Sequence, residues 1–332
     1  MAINEELTTL KEDFLSRLPG SELITCHPSM VLARISRTAF KEVRVAIQFP
    51  ADYPDNPLLV ELKSKTLSAR ILDSLTKLCD EELKKWKGKQ QIMSLLVFVK
   101  HFLDENPFIA CSDEIMYIKK ELVSEHDDLK LKQKAGIVSM TIRQQRYFLS
   151  VKLSVPDAYP TDAVSIEITE CNVPPDLLLT FAGQSQELAR RCVTPPLKPK
   201  PKDPPFEPSP SLQRVACLLA NDCLRHCVAQ KCSLCKKPAL PDNPKEVVVD
   251  LNADMHVERI YCGHLFHFKC LDTYVKTPPF KGGKMCPVSG CGKRIYHDKW
   301  VTTKNTKLAE DRWAHEEARK RELSEVVDFL GL

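Results

Sequence analysis

The chain of 332 residues is most informative first for what it lacks. It contains no run of eighteen or more apolar residues, the length a helix needs to span a bilayer. Its opening stretch, MAINEELTTLKEDF, carries acidic side chains early and no apolar core, so a secretory leader is not expected there. The net charge of +4 is small, and no concentrated basic face interleaved with aromatics is visible, so nucleic acid is not an expected partner. The composition, 43% hydrophobic and 28% charged, is that of a globular protein, with the cytoplasm or nucleus as the expected location. In a reducing compartment the fourteen cysteines point away from disulfides. Six of them fall between Cys232 and Cys291.

The N-terminal eighteen residues place Leu7, Leu10, Phe14, Leu15 and Leu18 at helical spacing. The stretches MVLARISR, EVRVAIQFP and LLVELKS are β-branched and alternating, as half-buried strands are. Two helical stretches follow, SARILDSLTKLCDEELKKW and QQIMSLLVFVKHFLDE, separated at KGK. Helix, meander and helices in that order predict an α+β layer. The order then repeats: FPADYPDNPLLVEL (49–62) and VPDAYPTDAVSIEI (155–168) share a Tyr-Pro pair at a constant offset of 106 residues. Another helix (SDEIMYIKKELVSE) and two strands (GIVSMTIR, RYFLSVKLSV) precede the second copy. A period near 100 residues is a duplicated domain, because solenoid units are far shorter. Eight prolines lie between Pro195 and Pro210, so that insert is expected to be extended, and SLQRVACLLANDCLRHCVAQ returns to helix.

The Tyr-Pro segments resemble the RWD and ubiquitin-conjugating-enzyme (UBC-like) superfamily, whose members share the helix–meander–helices order and a Tyr-Pro loop after the third strand. Tyr53, Pro54 and Pro57 match that loop in the first copy, and Tyr159 and Pro160 in the second, where Ala163 replaces the last proline. Conjugating enzymes place a cysteine nucleophile after a His-Pro-Asn stretch, and none follows either loop. Cys79, Cys171 and Cys192 are therefore read as packing residues, and both copies as binding domains.

The C-terminal part reads C-x2-C (Cys232, Cys235), then Cys262, His264, His267 and Cys270, then Cys286 and Cys291. Eight soft and imidazole donors fit two closed tetrahedral zinc sites, which are structural because no coordination position is left for water. Residues 232–302 have too few large apolar side chains to fold on a core alone, so metal is expected to supply folding energy. The preceding Cys217, Cys223 and Cys227, with His226, are expected to pack in a helix.

The segment CGHLFHFKCLDTYV resembles RING-H2 fingers. That resemblance implies a cross-brace: Cys232, Cys235, His267 and Cys270 on one zinc, with Cys262, His264, Cys286 and Cys291 on the other. It also implies contacts to a ubiquitin-conjugating enzyme (E2) through Leu234, Tyr274, which stands at the usual tryptophan position, and Pro287. Lys293 is a candidate for the cation that clamps ubiquitin, since Gly292 directly follows the last ligand. The last ligand pair is C-x4-C rather than C-x2-C, resembling some SUMO-ligase relatives and the first RING of RING-between-RING ligases. The 41 residues after Cys291 hold no cysteine, which excludes a RING-between-RING mechanism for this stretch.

The expected organisation is thus an RWD-like domain at 1–110, a second at 111–230 with the proline insert 195–210, a RING at 231–302 and a charged helix at 303–332. Tandem RWD domains with a terminal RING resemble the architecture of the Fanconi anaemia L-type ligases. The implied function is an E3 ubiquitin ligase that binds an E2 and ubiquitin through the RING and recruits a protein substrate through the RWD pair. Two alternatives stand beside it: a non-catalytic zinc-stabilised scaffold, and a ligase for SUMO or another ubiquitin-like modifier.

Overall fold

The structure, a computed structural model, describes residues 2–196, 204–279, 284–295 and 313–320. The chain divides into two compact units. One comprises Met1–Ile142, Ser150–Glu170 and Phe181–Ala220, and the other Arg143–Leu149, Cys171–Thr180 and Asn221–Leu332.

Helix α1 (Ala2–Arg17) opens the chain and lies over a four-stranded sheet. Leu7, Leu10 and Phe14 form its buried stripe, with Leu18 just beyond its end. Leu15, expected on that stripe, is 73% exposed, because one residue further on is a turn of about 100° around the helix. The sheet is formed by β1 (Glu22–His27), β2 (Met30–Thr38), β3 (Lys41–Gln48) and β4 (Leu59–Lys63), paired in sequence order. Val31, Ala33 and Ile35 pair with Ile47, Val45 and Val43, and all six are fully buried. Two helices cover the same face: α2 (Ala69–Lys85) through Leu75, Cys79 and Leu83, and α3 (Ile92–Glu105) through Leu95, Leu96, Val99 and Leu103.

The order then recurs. Helix α4 (Ser112–Tyr117) runs into a π-helical turn at Ile118–Leu122. A second four-stranded sheet follows in sequence order, β5 (Asp128–Lys132), β6 (Ile137–Gln144), β7 (Tyr147–Ser154) and β8 (Ser165–Cys171). Helices α5 (Pro175–Val193) and α6 (Leu212–Cys217) come next, and α6 continues through a π-helical stretch, Leu218–Arg225, into α7 (His226–Ala229). Gly136 sits at φ 62° before β6, where a side chain would lie 3.2 Å from the Val155 carbonyl oxygen. Glycine is the residue that turn tolerates. Of the proline insert, 204–210 is without regular structure, and 197–203 lie outside the described residues.

The last part has little regular structure. A short hairpin of β9 (Val257–Arg259) and β10 (Leu265–His267) leads into α8 (Phe268–Lys276). Its small core is Ile260, Phe266, Leu271 and Ile295 with Cys232 and Cys286. Of the expected C-terminal helix at 303–332, residues 313–320 are helical. The rest of it, and residues 296–302 of the expected RING, lie outside the described residues.

Candidate metal centre and adjoining groove

The eight cysteine and histidine donors gather into two groups of four. Cys232, Cys235, His267 and Cys270 form one, and Cys262, His264, Cys286 and Cys291 the other, with donor atoms within 4.8 Å of one another. The groups interleave along the chain, as the cross-brace pattern requires. Local backbone geometry builds each of them. The first is a knuckle in which the Lys236 N–H donates to the Cys232 carbonyl at 2.7 Å and the Cys232 N–H to that of Lys237 at 2.9 Å. In the second, the Cys286 N–H donates to the Lys293 carbonyl at 2.7 Å and the Cys291 N–H to that of Val288 at 3.1 Å. Gly290 and Gly292 turn that loop at positive φ. The β10-to-α8 junction then delivers His267 and Cys270 to the first group, while His264 precedes β10 and serves the second.

The donor chemistry fits zinc. His267 turns Nδ1 toward the Cys235 Sγ at 3.3 Å, and its Nε2 lies 3.1 Å from the Pro238 carbonyl oxygen. Donation from Nε2 to that carbonyl fixes the tautomer that leaves Nδ1 free to ligate. His264 places Nδ1 3.2 Å from Cys262 Sγ and 3.4 Å from Cys286 Sγ. Sulfur and nitrogen ligands around one tetrahedral zinc stand roughly 3.5 Å apart, given bond lengths of about 2.3 and 2.0 Å. Burial holds both imidazoles below their ordinary pKa, in the neutral form a metal takes. Burial pushes the Cys270 and Cys286 thiols up to about 12, and thiols sharing each group add to the rise. At Cys232 burial acts in the same direction, but the N–H groups of Cys235, His267 and Leu234 outweigh it and lower the thiol. Clustered thiols resist ionising together unless a cation sits among them.

Beside the first group lies a shallow, mainly apolar groove lined by Leu234, Cys235, Lys269, Cys270, Thr273 and Tyr274. Leu234 and Tyr274, singled out from the sequence, therefore line one surface. Pro287 and Lys293 do not line it: Pro287 is half-buried and Lys293 exposed on the loop of the second group. The Tyr274 hydroxyl donates to the Met285 carbonyl at 2.9 Å, and the Lys284 ammonium sits 4.8 Å from its ring centre.

Burial pushes Cys79, Cys111 and Cys223 up to about 12 and Cys227 to about 11. Asn172, the neighbour of Cys171, is engaged on both sides of its amide, accepting from the Phe148 N–H and donating to the Arg146 carbonyl at 2.8 Å each.

The two Tyr-Pro loops anchor a feature that the sequence did not reveal. The Tyr53 hydroxyl donates to the Glu6 carboxylate at 2.5 Å and accepts from the Gln91 N–H at 3.1 Å. Glu6 also accepts from the Ile92 N–H at 2.8 Å. A tyrosine and an acid from α1 thus satisfy N–H groups that open α3 and would otherwise be orphaned. The side chain of Gln91 closes the loop by accepting from the Leu58 N–H at 3.2 Å. Pro57 precedes that anchored residue, and Pro54 gives its carbonyl to the Gln91 side chain and the Gly88 N–H.

Residues 3–103 match the family model of the RWD domain. This stretch is an RWD domain. No curated protein matches the chain. A similar polar network of tyrosine, acid and helix start occurs further along the chain. Tyr159 donates to Glu114 at 2.5 Å and accepts from the Ser211 and Leu212 N–H groups, while Glu114 accepts from the Gln213 N–H at 2.9 Å. Ser211 stands where Gln91 stood, its hydroxyl accepting from the Val164 N–H at 3.2 Å. Both Tyr-Pro peptides are cis.

Proposed function

We propose that the chain is a RING-type E3 ubiquitin ligase with two RWD-like modules. The carrying observation is the pair of interleaved four-donor groups beside an apolar groove, in a chain that also has an RWD domain. An RWD domain points to protein interaction in the ubiquitin pathway, and zinc in the two groups would be structural, fixing the loops and the groove beside the first. Residues 111–230 are read as the second RWD-like module because a tyrosine–acid–helix network like that of the RWD domain occurs there. They share with the RWD domain the task of holding a protein substrate or partner.

The chain's residues supply binding and orientation. Leu234 and Tyr274 would receive apolar side chains of the E2, with Pro287 and Lys293 contributing from the second loop. Holding the charged E2 restricts its flexible thioester, so that a substrate lysine meets it in a productive geometry. The buried, weakly acidic thiols of Cys79, Cys111, Cys223 and Cys227 accord with a ligase that forms no covalent intermediate of its own.

Autoubiquitination across a panel of E2 enzymes tests this reading, with wild type beside Leu234→Ala and zinc measured in both. Activity in wild type that falls at least tenfold in Leu234→Ala, with two zincs retained, is the expected result. One observation favours a second reading, a zinc-stabilised scaffold: Gly292 directly follows the last donor, where it can offer ubiquitin no side chain. Two zincs with no activity toward any ubiquitin E2 would support the scaffold, and activity with a SUMO-charged E2 would reassign the modifier.

A further inference from the structure

We infer that the groove beside the first donor group selects a partner face presenting an apolar side chain flanked by carboxylates, read by Lys231, Lys236 and Lys237. This rests on the ligase reading and names the kind of E2 that the groove accepts. The groove floor is apolar, through Leu234, Thr273 and Tyr274. Lysines in the groove and next to its lining residues in the chain differ in one respect. Lys269 is neutralised by Asp254 at 2.5 Å, and Lys276, on the same helix, by Asp272 at 2.8 Å. Among the described residues no carboxylate pairs with Lys231, Lys236 or Lys237, and all three are exposed.

These three lie on the two arms of the knuckle that holds Leu234. An antiparallel bridge between Lys231 and Pro238 draws the arms together, so all three lysines belong to one metal loop. Lys236 carries a cost, since its φ is 65°, in the left-handed region where glycine or asparagine is the low-energy choice. A side chain kept at a strained position beside a binding groove points to a use for that side chain. Unpaired rim charges of one sign raise association rates with a partner of the opposite sign, and salt weakens them.

The test uses the full chain, loaded with zinc, and a panel of purified E2 enzymes, with binding measured in 50 mM and in 500 mM salt. Wild type is expected to bind the panel members that carry carboxylates on their RING-facing surface. The Lys236→Glu/Lys237→Glu variant should bind those members about tenfold more weakly at low salt, mostly through a slower on-rate, and the gap should shrink at high salt. Lys236→Gly should fold at least as stably as wild type and still bind more weakly, an outcome that a purely structural lysine would not give. An E2 that binds through Leu234 but is indifferent to both lysine variants overturns the inference and leaves the ligase reading standing. Failure of every E2 to bind zinc-loaded wild type overturns both.

Discussion

The RWD domain and the two donor groups solve the same problem with different materials. The RWD domain is held by a continuous apolar core that reaches from Leu7 through Ile35 and Val45 to Leu103, and none of the eight gathered donors belongs to it. The core around the donor groups has six buried members, of which two, Cys232 and Cys286, are themselves proposed ligands. Too little apolar surface leaves water there for burial to offset the entropy of ordering the loops. With zinc in the donor groups, stability in this chain would come from two separable sources, packing and coordination.

Withdrawing the metal should have the largest effect. A strong chelator is expected to release two zincs per chain and to unfold the region around 231–295, because structural sites of this kind contribute on the order of 10 kcal/mol. Tyr274 fluorescence and conjugating activity should be lost together, while tryptic protection of the RWD domain persists. A single cooperative collapse of both regions would sink the separation.

Next is the converse. Leu95→Ala removes a fully buried side chain from the RWD core and should cost about 2–5 kcal/mol, read as a lower urea midpoint for that domain. Zinc content should stay at its wild-type value.

How much of this was legible in the sequence follows the same division. The alternation of β2 and β3 and the heptad-like stripes of α1 and α3 are written in apolar residues, so they were readable. The edge strands β1 and β5 were missed, because ELITCH and DLKLK show mostly exposed and half-exposed positions without a buried alternating face. Tyr53 and Tyr159 could be singled out by their repeat, but Glu6 and Glu114 could not be told from solvated acids. Their partners are backbone N–H groups scores of residues away, which no local pattern encodes. The eight donors were visible as a cluster, whereas their division into two groups came from family resemblance, and the folded backbone places the same fours together.

The packing-held regions also contain the paired tyrosine networks, which sharpen the comparison at a smaller scale. Tyr159 is fully buried and Tyr53 half-buried. Burial, with the facing carboxylate adding, raises both hydroxyls above the ordinary tyrosine value, so each remains a donor. Tyr159→Phe strands the Ser211 and Leu212 N–H groups in a dry site and should cost about 1–3 kcal/mol. Tyr53→Phe should cost less, because water reaches the vacated position. Equal losses in thermal melts would refute the ranking.

The smallest effect is a slope. Burial raises the Glu114 carboxyl above its ordinary 4.5, against the pull of the Gln213 N–H and the Tyr159 hydroxyl. The folded chain therefore holds this proton more tightly than the unfolded chain does, and protonation favours folding. That contribution is complete below pH 4.5 and is lost as the pH rises through the raised folded value. Glu114→Gln cannot titrate, so the difference between wild type and variant isolates the carboxyl. Stability measured by urea between pH 4.5 and 7.5 should fall more steeply in wild type, by no more than about 1.4 kcal/mol per pH unit, the limit for one proton. Parallel curves would mean that the folded environment of Glu114 leaves its proton affinity where the unfolded chain has it, and that its role is confined to capping the helix that begins at Leu212.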